Sequence, residues 1–260
     1  MIAVVETWLK GEEIIDAEGY KWVGRNRRLL HKRAVRGSSG VGILIKEELL
    51  KRCNLEILDA DSEDILWVKL DWKEDESSLV LAVCYIPPET SSRGKGSEET
   101  LQLLAEQVGK FGALGPIVTC GDFNARCGNL EVEVDGIPNR HITDVMKNSQ
   151  GEGFVDFLRS TEMCVVNGQI GRDTFTCVSN RGCSVVDYCV IRVENFHLIE
   201  NFEVTTMRES IDEMKLEGEA VRVPDHSLLR WEIRTEGVVS RIRTEKNRKE
   251  EKVKRRYIIP

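Results

Sequence analysis

Short apolar runs recur along the chain, and each is bounded by glycine, proline or charged residues. They cover residues 2–5, 41–45, 55–58, 65–70, 79–86, 117–120, 163–166, 174–178, 184–191, 202–206 and 228–233. Runs of this length between turn residues predict strands. Apolar residues at helical spacing follow Ser97, which we expect to be an N-cap, and recur over residues 153–160. The pattern predicts two sheets packed face to face with helices outside, in the α+β class.

Length and composition indicate an ordinary globular protein. The 260 residues, 41% of them hydrophobic, can bury a large core, and no apolar run is long enough to span a membrane. Residues 1–10 lack the basic start of a secretory signal, and the eight cysteines include no CxxC pair. We therefore expect reduced, buried thiols in an intracellular protein, nuclear or cytoplasmic and not secreted. A monomer is also expected. One domain is expected over residues 1–235, followed by a charged tail or linker over residues 236–260.

Charge is unevenly distributed along the chain. The net charge of −7 argues against binding of nucleic acid through bulk positive charge. One segment is nevertheless basic without any acidic residue, and it contains Arg25, Arg27, Arg28, Lys32, Arg33 and Arg36. A solvated surface loop and a contact to a DNA backbone are both open interpretations of this segment.

Residues 116–128, PIVTCGDFNARCG, place a carboxylate and a carboxamide directly after an apolar strand. Asp122 can accept a proton or bind a metal, and Asn124 can donate a hydrogen bond to a developing negative charge. Hydrolysis of a phosphate ester needs this combination. The same residue types also form ordinary polar turns, so the stretch alone leaves both interpretations open.

Further polar features stand at the ends of other apolar strands. They are Glu6, Tyr85, Asp187 and the pair Asp225-His226. Each also has a purely structural interpretation. Glu6 could be a solvated strand end and Tyr85 a core aromatic residue. Asp187 could point outward from its strand, and Asp225-His226 could form a turn after Pro224. Catalytic groups often gather at one rim of a rigid sheet, so we expect these residues to meet there.

Taken together, the polar set suits metal-assisted hydrolysis of a phosphodiester. The metal-ligand candidates are Glu6 and Asp225, whose carboxylates are the hard oxygen donors that Mg²⁺ prefers. Asp187 can fix the tautomer and orientation of His226. Asp122 can orient or deprotonate the attacking water, while Asn124 and Tyr85 can donate to the phosphate.

Six motifs in order resemble the endonuclease/exonuclease/phosphatase family. They are ETW at residues 6–8, GVGILI at 40–45, YIPP at 85–88, GDFNAR at 121–126, SVVDY at 184–188 and PDHSLL at 224–229. Within the family, the chain is most similar to the apurinic/apyrimidinic-type endonuclease domain of LINE-type, non-LTR retrotransposons and related domesticated proteins. The resemblance implies a four-layer αββα sandwich of two mixed sheets, as in deoxyribonuclease. It also implies cleavage of DNA with Mg²⁺ as cofactor, or with Mn²⁺ in its place.

The resemblance assigns the same roles to the same residues. It implies metal binding by Glu6 and Asp225, phosphate contact by Tyr85, water activation and transition-state stabilisation by Asp122 and Asn124, and a catalytic His226 supported by Asp187. The family begins one strand earlier, with an asparagine motif at the metal site, and no such strand precedes Met1 in this sequence. An in-frame strand with an asparagine motif before Met1 would complete the site.

Three functions stay open at this point. The first is a Mg²⁺-dependent domain that nicks DNA and belongs with a reverse transcriptase in a parent polyprotein. The second is a phosphatase or phosphodiesterase of the same family. The third is a retroelement remnant or interaction protein that keeps the fold without the activity.

Overall fold

The computed structural model describes residues 1–26, 39–59, 61–89, 96–130, 134–171, 174–213, 223–235 and, along the backbone alone, 255–259. Its strands are β1 (Ile2–Val5), β2 (Tyr20–Arg25), β3 (Val41–Lys46), β4 (Cys53–Asp59), β5 (Ile65–Trp72), β6 (Ser78–Tyr85), β7 (Ile117–Asp122), β8 (Met163–Val165), β9 (Cys177–Ser179), β10 (Gly182–Ser184), β11 (Asp187–Arg192), β12 (Ile199–Thr205), β13 (Leu228–Ile233) and β14 (Arg255–Ile259). Its helices are α1 (Glu47–Arg52), α2 (Ser97–Phe111), α3 (Ser149–Thr161) and α4 (Met207–Glu213).

Two six-stranded mixed sheets form the body of the protein. The first has the strand order β12-β13-β14-β1-β3-β2, and its one parallel pair joins β14 and β1. The second has the order β4-β5-β6-β7-β11-β8, and its one parallel pair joins β6 and β7. A separate hairpin, β9–β10, stands beside them.

The two hydrophobic clusters show how the layers stack. Alternate residues of β6 belong to different clusters. Leu81 and Val83 lie in the cluster between the two sheets, whereas Val80 and Ala82 lie in the cluster between the second sheet and helices α2 and α3. Burial on both faces explains why β6 reads as a continuous apolar run instead of an alternating one. The predicted α+β sandwich of two mixed sheets is confirmed.

Some elements were not expected from the sequence. Strand β2 carries few apolar residues, and it is held by Trp22, whose indole covers Gly24 and Gly42 so closely that a Cβ at either glycine would overlap the ring. The cap of α2 is Gly96, with Ser97 as the first helical residue. Helix α3 begins at Ser149, earlier than its apolar spacing indicated, because Asn148 caps it.

Two predicted segments lie largely outside the described residues. Arg25 ends β2, while Arg27, Arg28, Lys32, Arg33 and Arg36 lie in a range that the structure does not describe. Within the expected tail, residues 255–259 form β14, which pairs with both β13 and β1. Among the described residues, no helix is long and apolar enough to cross a membrane.

Candidate active site

Tyr85, Asp122 and Asp187 lie side by side across three strands of the second sheet. Asp122 is the register partner of Tyr85 in β6 and of Asp187 in β11. Directly paired residues share one face of a sheet. The residues two positions along these strands, such as Cys120 and Cys189, belong to the core between the sheets. The three side chains therefore stand at the rim of that core, facing the first sheet.

The turn after β7 fixes the Asp122 carboxylate. Gly121 has φ +138°, and a Cβ there would overlap the carbonyl oxygen of Cys84, so the position requires glycine. Asn124 adopts the left-handed conformation at φ 49°. Its backbone N–H donates to Asp122 Oδ1 over 2.8 Å, and its Nδ2 donates to Asp122 Oδ2 and to the carbonyl of Ile86, each over 3.0 Å. Both amide hydrogens of Asn124 are thus engaged, and the residue holds Asp122 in place.

His226 reaches the second sheet from the segment before β13. Its Nδ1 lies 2.9 Å from Asp187 Oδ2 and 3.0 Å from Oδ1. A bridge between Cys177 and His226 ties the same segment to β9. The Asp187 carboxylate therefore holds the ring through Nδ1 and directs Nε2 away from it.

Electrostatics couple these groups. Burial raises the pKa of Asp122 well above its usual range, and the negative charge of Asp187 raises it further, while His226 opposes the shift. Burial alone would lower the pKa of His226, but hydrogen bonds to Asp187 and Cys177 and the charges of Asp187 and Asp122 raise that pKa to about 12. The acidic neighbours thus favour the charged form of the His226 imidazole, while burial and Asp187 favour the neutral form of the Asp122 carboxyl.

Glu6 enters from the first sheet on a tight turn. Glu6 and Trp8 both have positive φ values, 53° and 55°. The N–H of Thr7 donates to Gly40 over 3.2 Å and that of Trp8 donates to Ser39 over 3.0 Å, so the segment before β3 holds the turn. The ETW turn is therefore hydrogen-bonded to the start of the GVGILI motif and to the residue before it.

Register explains why Glu6 and His226 reach the same rim. Ile258 of β14 pairs with Ile2 on one side and with Arg230 on the other, and β13 runs antiparallel to β1. Glu6 follows the last residue of β1 and His226 precedes the first residue of β13, so both lie at the same edge of the first sheet. The first sheet therefore contributes its predicted site residues at one edge.

Three of the predicted site residues form a close cluster, and the two predicted metal ligands lie outside it. Ligand atoms of Asp122, Asp187 and His226 lie within 4.8 Å of one another. Glu6 is outside this set, although its charge acts on Asp122 and raises the pKa of that carboxyl. Asp225 is exposed beside His226, and its carbonyl accepts from the N–H of Val178 over 2.7 Å.

Two buried residues that support Asp187 were missed by sequence reasoning. Thr176 Oγ1 accepts hydrogen bonds from the N–H groups of Val186 and Asp187, each over 3.0 Å. Asn167 donates through Nδ2 to the Asp187 carbonyl over 3.0 Å. Their sequence surroundings carry no motif, since each acts through backbone that only the fold brings near.

A second ion pair, also missed, braces the loop after Asn124. Arg126 donates through Nε to Asp144 Oδ2 over 2.8 Å and through Nη2 to Oδ1 over 2.6 Å. Asn148 donates through Nδ2 to the carbonyl of Asn124 over 3.0 Å. The GDFNAR turn is thereby tied to residues 144–148.

Comparison with known sequences agrees with this geometry. The sequence profile of the Endonuclease/Exonuclease/phosphatase family matches residues 1–200. The chain belongs to this family. The family that the six motifs resemble is therefore confirmed. A search of curated protein sequences finds no match to the chain.

Solved structures of the endonuclease/exonuclease/phosphatase fold extend the comparison. The AP endonuclease LMAP from Leishmania major is similar with a TM-score of 0.61 at 14% identity, over 86% of this chain and 75% of that chain. A 3′ phosphatase from Neisseria, bound to a product DNA hairpin, gives 0.55 at 13% identity, over 86% and 85%. The endonuclease domain of TRAS1, a telomere-specific non-LTR retrotransposon, gives 0.50 at 15% identity, over 81% and 78%. At these identities the likeness establishes the fold.

Proposed function

We propose that this chain is a divalent-metal-dependent DNA endonuclease domain of the retroelement type, which nicks one strand of a duplex. Family membership and fold support the coarser function, a nuclease or phosphatase that hydrolyses phosphate esters. The observation that carries the proposal is the meeting of Asp122, Asp187 and His226 within 4.8 Å at the rim between the two sheets.

The roles of these side chains follow from their contacts. Asp122 is oriented by Asn124 at the rim of the sheet, so it serves as the general base that takes a proton from the attacking water. His226 is held by Asp187 through Nδ1, which leaves Nε2 to donate to a phosphate oxygen. Tyr85, beside Asp122 in the sheet, is the further candidate for contact with the phosphate.

The residues at the rim fit a hard divalent cation. Asp122 and Asp187 are buried acidic groups in close contact, and the charge of Glu6 adds to the repulsion on Asp122. A cation bound at Glu6 would relieve that repulsion, and Asp225 is the proposed further ligand; carboxylate oxygens are the ligands that Mg²⁺ and Mn²⁺ take. When bound, the ion supplies charge neutralisation at the phosphate.

The retroelement assignment rests on the motif order and on the TRAS1 likeness. We propose that the substrate is duplex DNA contacted through its phosphodiester backbone, and that the basic residues from Arg25 to Arg36 contribute to that contact. The parent polyprotein is proposed to include a reverse transcriptase, and the domain is proposed to act as a nuclear or cytoplasmic monomer.

A plasmid-nicking assay tests the proposal. Purified protein with Mg²⁺ is expected to convert supercoiled plasmid to the nicked form, whereas His226→Ala and Asp122→Ala lose this activity. His197→Ala is the matched control, because His197 is an exposed histidine on a 3₁₀ helix away from the motifs. Equal nicking by wild type and both site variants would reject the proposed activity.

Parallel assays separate the alternatives. Turnover of small phosphomonoesters without DNA nicking would indicate a phosphatase instead. A cooperative thermal transition with no Mg²⁺-dependent stabilisation and no nicking would indicate a non-enzymatic protein that keeps the fold.

A further inference from the structure

A groove runs between helices α2 and α3 on the outer side of the second sheet. Both helices pack on that sheet through the hydrophobic cluster that also contains Leu101 and Phe157. The groove has a volume of about 850 Å³, and these two buried side chains lie along it. Ala105 and Gly153 also line it, and their lack of bulk leaves room between the helices. The groove is therefore large enough to receive side chains of another molecule.

Acidic side chains line this groove. Four exposed carboxylates belong to its lining, those of Glu89, Glu98, Glu152 and Asp156. Within the described ranges, no lysine or arginine lines it. Arg159 Nη1 lies 3.4 Å from Asp156 Oδ1, but both side chains are exposed, and such an ion pair contributes little. The groove thus combines a net negative charge with apolar side chains.

Hydrogen bonds hold the end of the groove that is nearest to the candidate active site. Ser149 Oγ donates to Glu89 Oε1 over 2.6 Å. Gln150 Nε2 donates to the carbonyls of Phe123 over 2.8 Å and Pro87 over 3.2 Å. The first turn of α3 is therefore tied to the segments that follow β6 and β7. A groove that is already formed loses less conformational entropy on binding than one that must first be ordered.

We propose that this groove is a docking site for a partner protein that supplies an amphipathic helix rich in lysine and arginine. The charge of the groove determines the class of partner. The phosphates of nucleic acids and of anionic lipids would meet four carboxylates and be repelled, whereas a basic helix is attracted. The shape favours a helix, since a groove between two packed helices accepts the ridge of a third. Docking at this surface is separate from the proposed DNA nicking and adds recruitment of a partner to it.

Peptide binding in the absence of DNA tests the proposal. The probe is a synthetic helical peptide with leucines on one face and with lysines and arginines beside them. A scrambled peptide of the same composition is the control for bulk charge. Isothermal titration calorimetry with the wild-type chain is expected to show about tenfold tighter binding of the helical peptide than of the scrambled one. The affinity should fall as salt is added, because the ion pairs are exposed.

A charge variant tests the acidic lining. Glu98→Gln/Glu152→Gln removes one exposed carboxylate from each helix, and we expect it to bind the helical peptide about fivefold more weakly than wild type does. Glu12→Gln/Glu18→Gln is the matched control, because both of its carboxylates are exposed on the loop between β1 and β2. That control should bind the peptide as wild type does.

Gly153→Leu tests the shape of the groove without a change of charge. A Cβ at Gly153 would stand 3.7 Å from Leu101 Cδ1, which is an ordinary contact, and leucine favours a helix more than glycine does. The variant should therefore stay folded, with a cooperative thermal transition, while its side chain fills the groove. We expect it to bind the helical peptide about tenfold more weakly than wild type does.

The outcomes separate this inference from the proposed function. Equal affinity for the helical and the scrambled peptide would overturn the proposal, and so would full binding by both Gly153→Leu and the charge variant. A dimer of the wild-type chain that is lost in Gly153→Leu would show that a second copy occupies the groove, and would overturn it as well. The peptide measurements need no DNA, so an inactive wild type would reject the nicking function and leave the docking site standing.

Discussion

The imidazole Nδ1 of His226 lies 2.9 Å from Asp187 Oδ2, so residues from two different sheets form one hydrogen-bonded unit. Asp187 begins β11 in the second sheet, whereas His226 precedes β13 in the first. The contact therefore depends on how the two sheets pack, and it fixes which ring nitrogen faces the substrate.

Replacement of Asp187 by asparagine tests that dependence. Asp187→Asn keeps the size of the side chain but removes the charge that holds the His226 imidazole, and we expect the nicking rate to fall by about 10–100-fold. Initial rates of plasmid nicking at saturating Mg²⁺ provide the measurement. Asp156→Asn is a suitable control, because Asp156 is an exposed carboxylate on α3. An undiminished rate in Asp187→Asn would show that the contact has no part in catalysis.

A threonine pair tests how the fold positions Asp187. Thr176→Val removes the acceptor for two buried N–H groups, and we expect a loss of about 1–3 kcal/mol in the free energy of unfolding, together with slower nicking. Thr119→Val makes the same chemical change in β7, where the Thr119 hydroxyl is buried without a hydrogen-bond partner. That variant should be neutral or stabilising. Urea unfolding measures both, and equal effects would contradict the assigned role of Thr176.

Metal binding is expected to depend on Glu6. Mg²⁺ should raise the thermal midpoint of wild type, since a ligand that binds only the folded state stabilises it, by about 1.4 kcal/mol at ten times Kd. Glu6→Gln should abolish this rise, while Glu12→Gln, on the exposed loop beyond β1, should retain it. Differential scanning calorimetry with and without Mg²⁺ gives the comparison. A full Mg²⁺-dependent rise in Glu6→Gln would remove Glu6 from the metal site.

The sequence predicted the parts of this site that are local. Gly121 and Asp122 were expected just after a buried strand and instead end it as the last residues of β7, whereas the turn that follows them is evident from the sequence, and the family order of motifs joins that turn to His226. The sequence could not predict the buried side chains that hold Asp187 through hydrogen bonds to backbone groups distant in the chain. Thr176 and Asn167 act through backbone groups that become their neighbours only after β11 has paired with β7 and β8.

The strands likewise divide into those that could be predicted from the sequence and those that could not. Strands buried on both faces, such as β6, were evident as apolar runs. Edge strand β2 was not, because Lys21, Gly24 and Arg25 interrupt its apolar residues; in the structure its Trp22 lies over Gly24 and over Gly42 of β3. Strand β14 follows a highly charged stretch of sequence and holds only one short apolar run, Tyr257 to Ile259, so its pairing with β13 and β1 was not predicted.

The Asp144 carboxylate gives a prediction for stability against pH. Burial by itself would raise the pKa of Asp144, but hydrogen bonds from Arg126 and from the N–H groups of Val185 and Met146 lower it below its usual value. A carboxyl whose pKa is lower in the folded than in the unfolded state stabilises the protein at a pH above the unfolded pKa, about 3.9. That stabilisation is lost as the pH falls through the folded value.

Asp144→Asn should therefore lower the free energy of unfolding by about 2 kcal/mol at pH 7, because Arg126 loses its charged partner in a largely buried site. The difference between wild type and variant should shrink as the pH is lowered below about 4, where the wild-type carboxyl takes up its proton. Urea unfolding at a series of pH values measures both effects. Asp135→Asn, an exposed carboxylate of the same loop, should change stability little at any pH. A difference between wild type and Asp144→Asn that stays constant down to acid pH would show that the Asp144 charge does not provide the stabilisation.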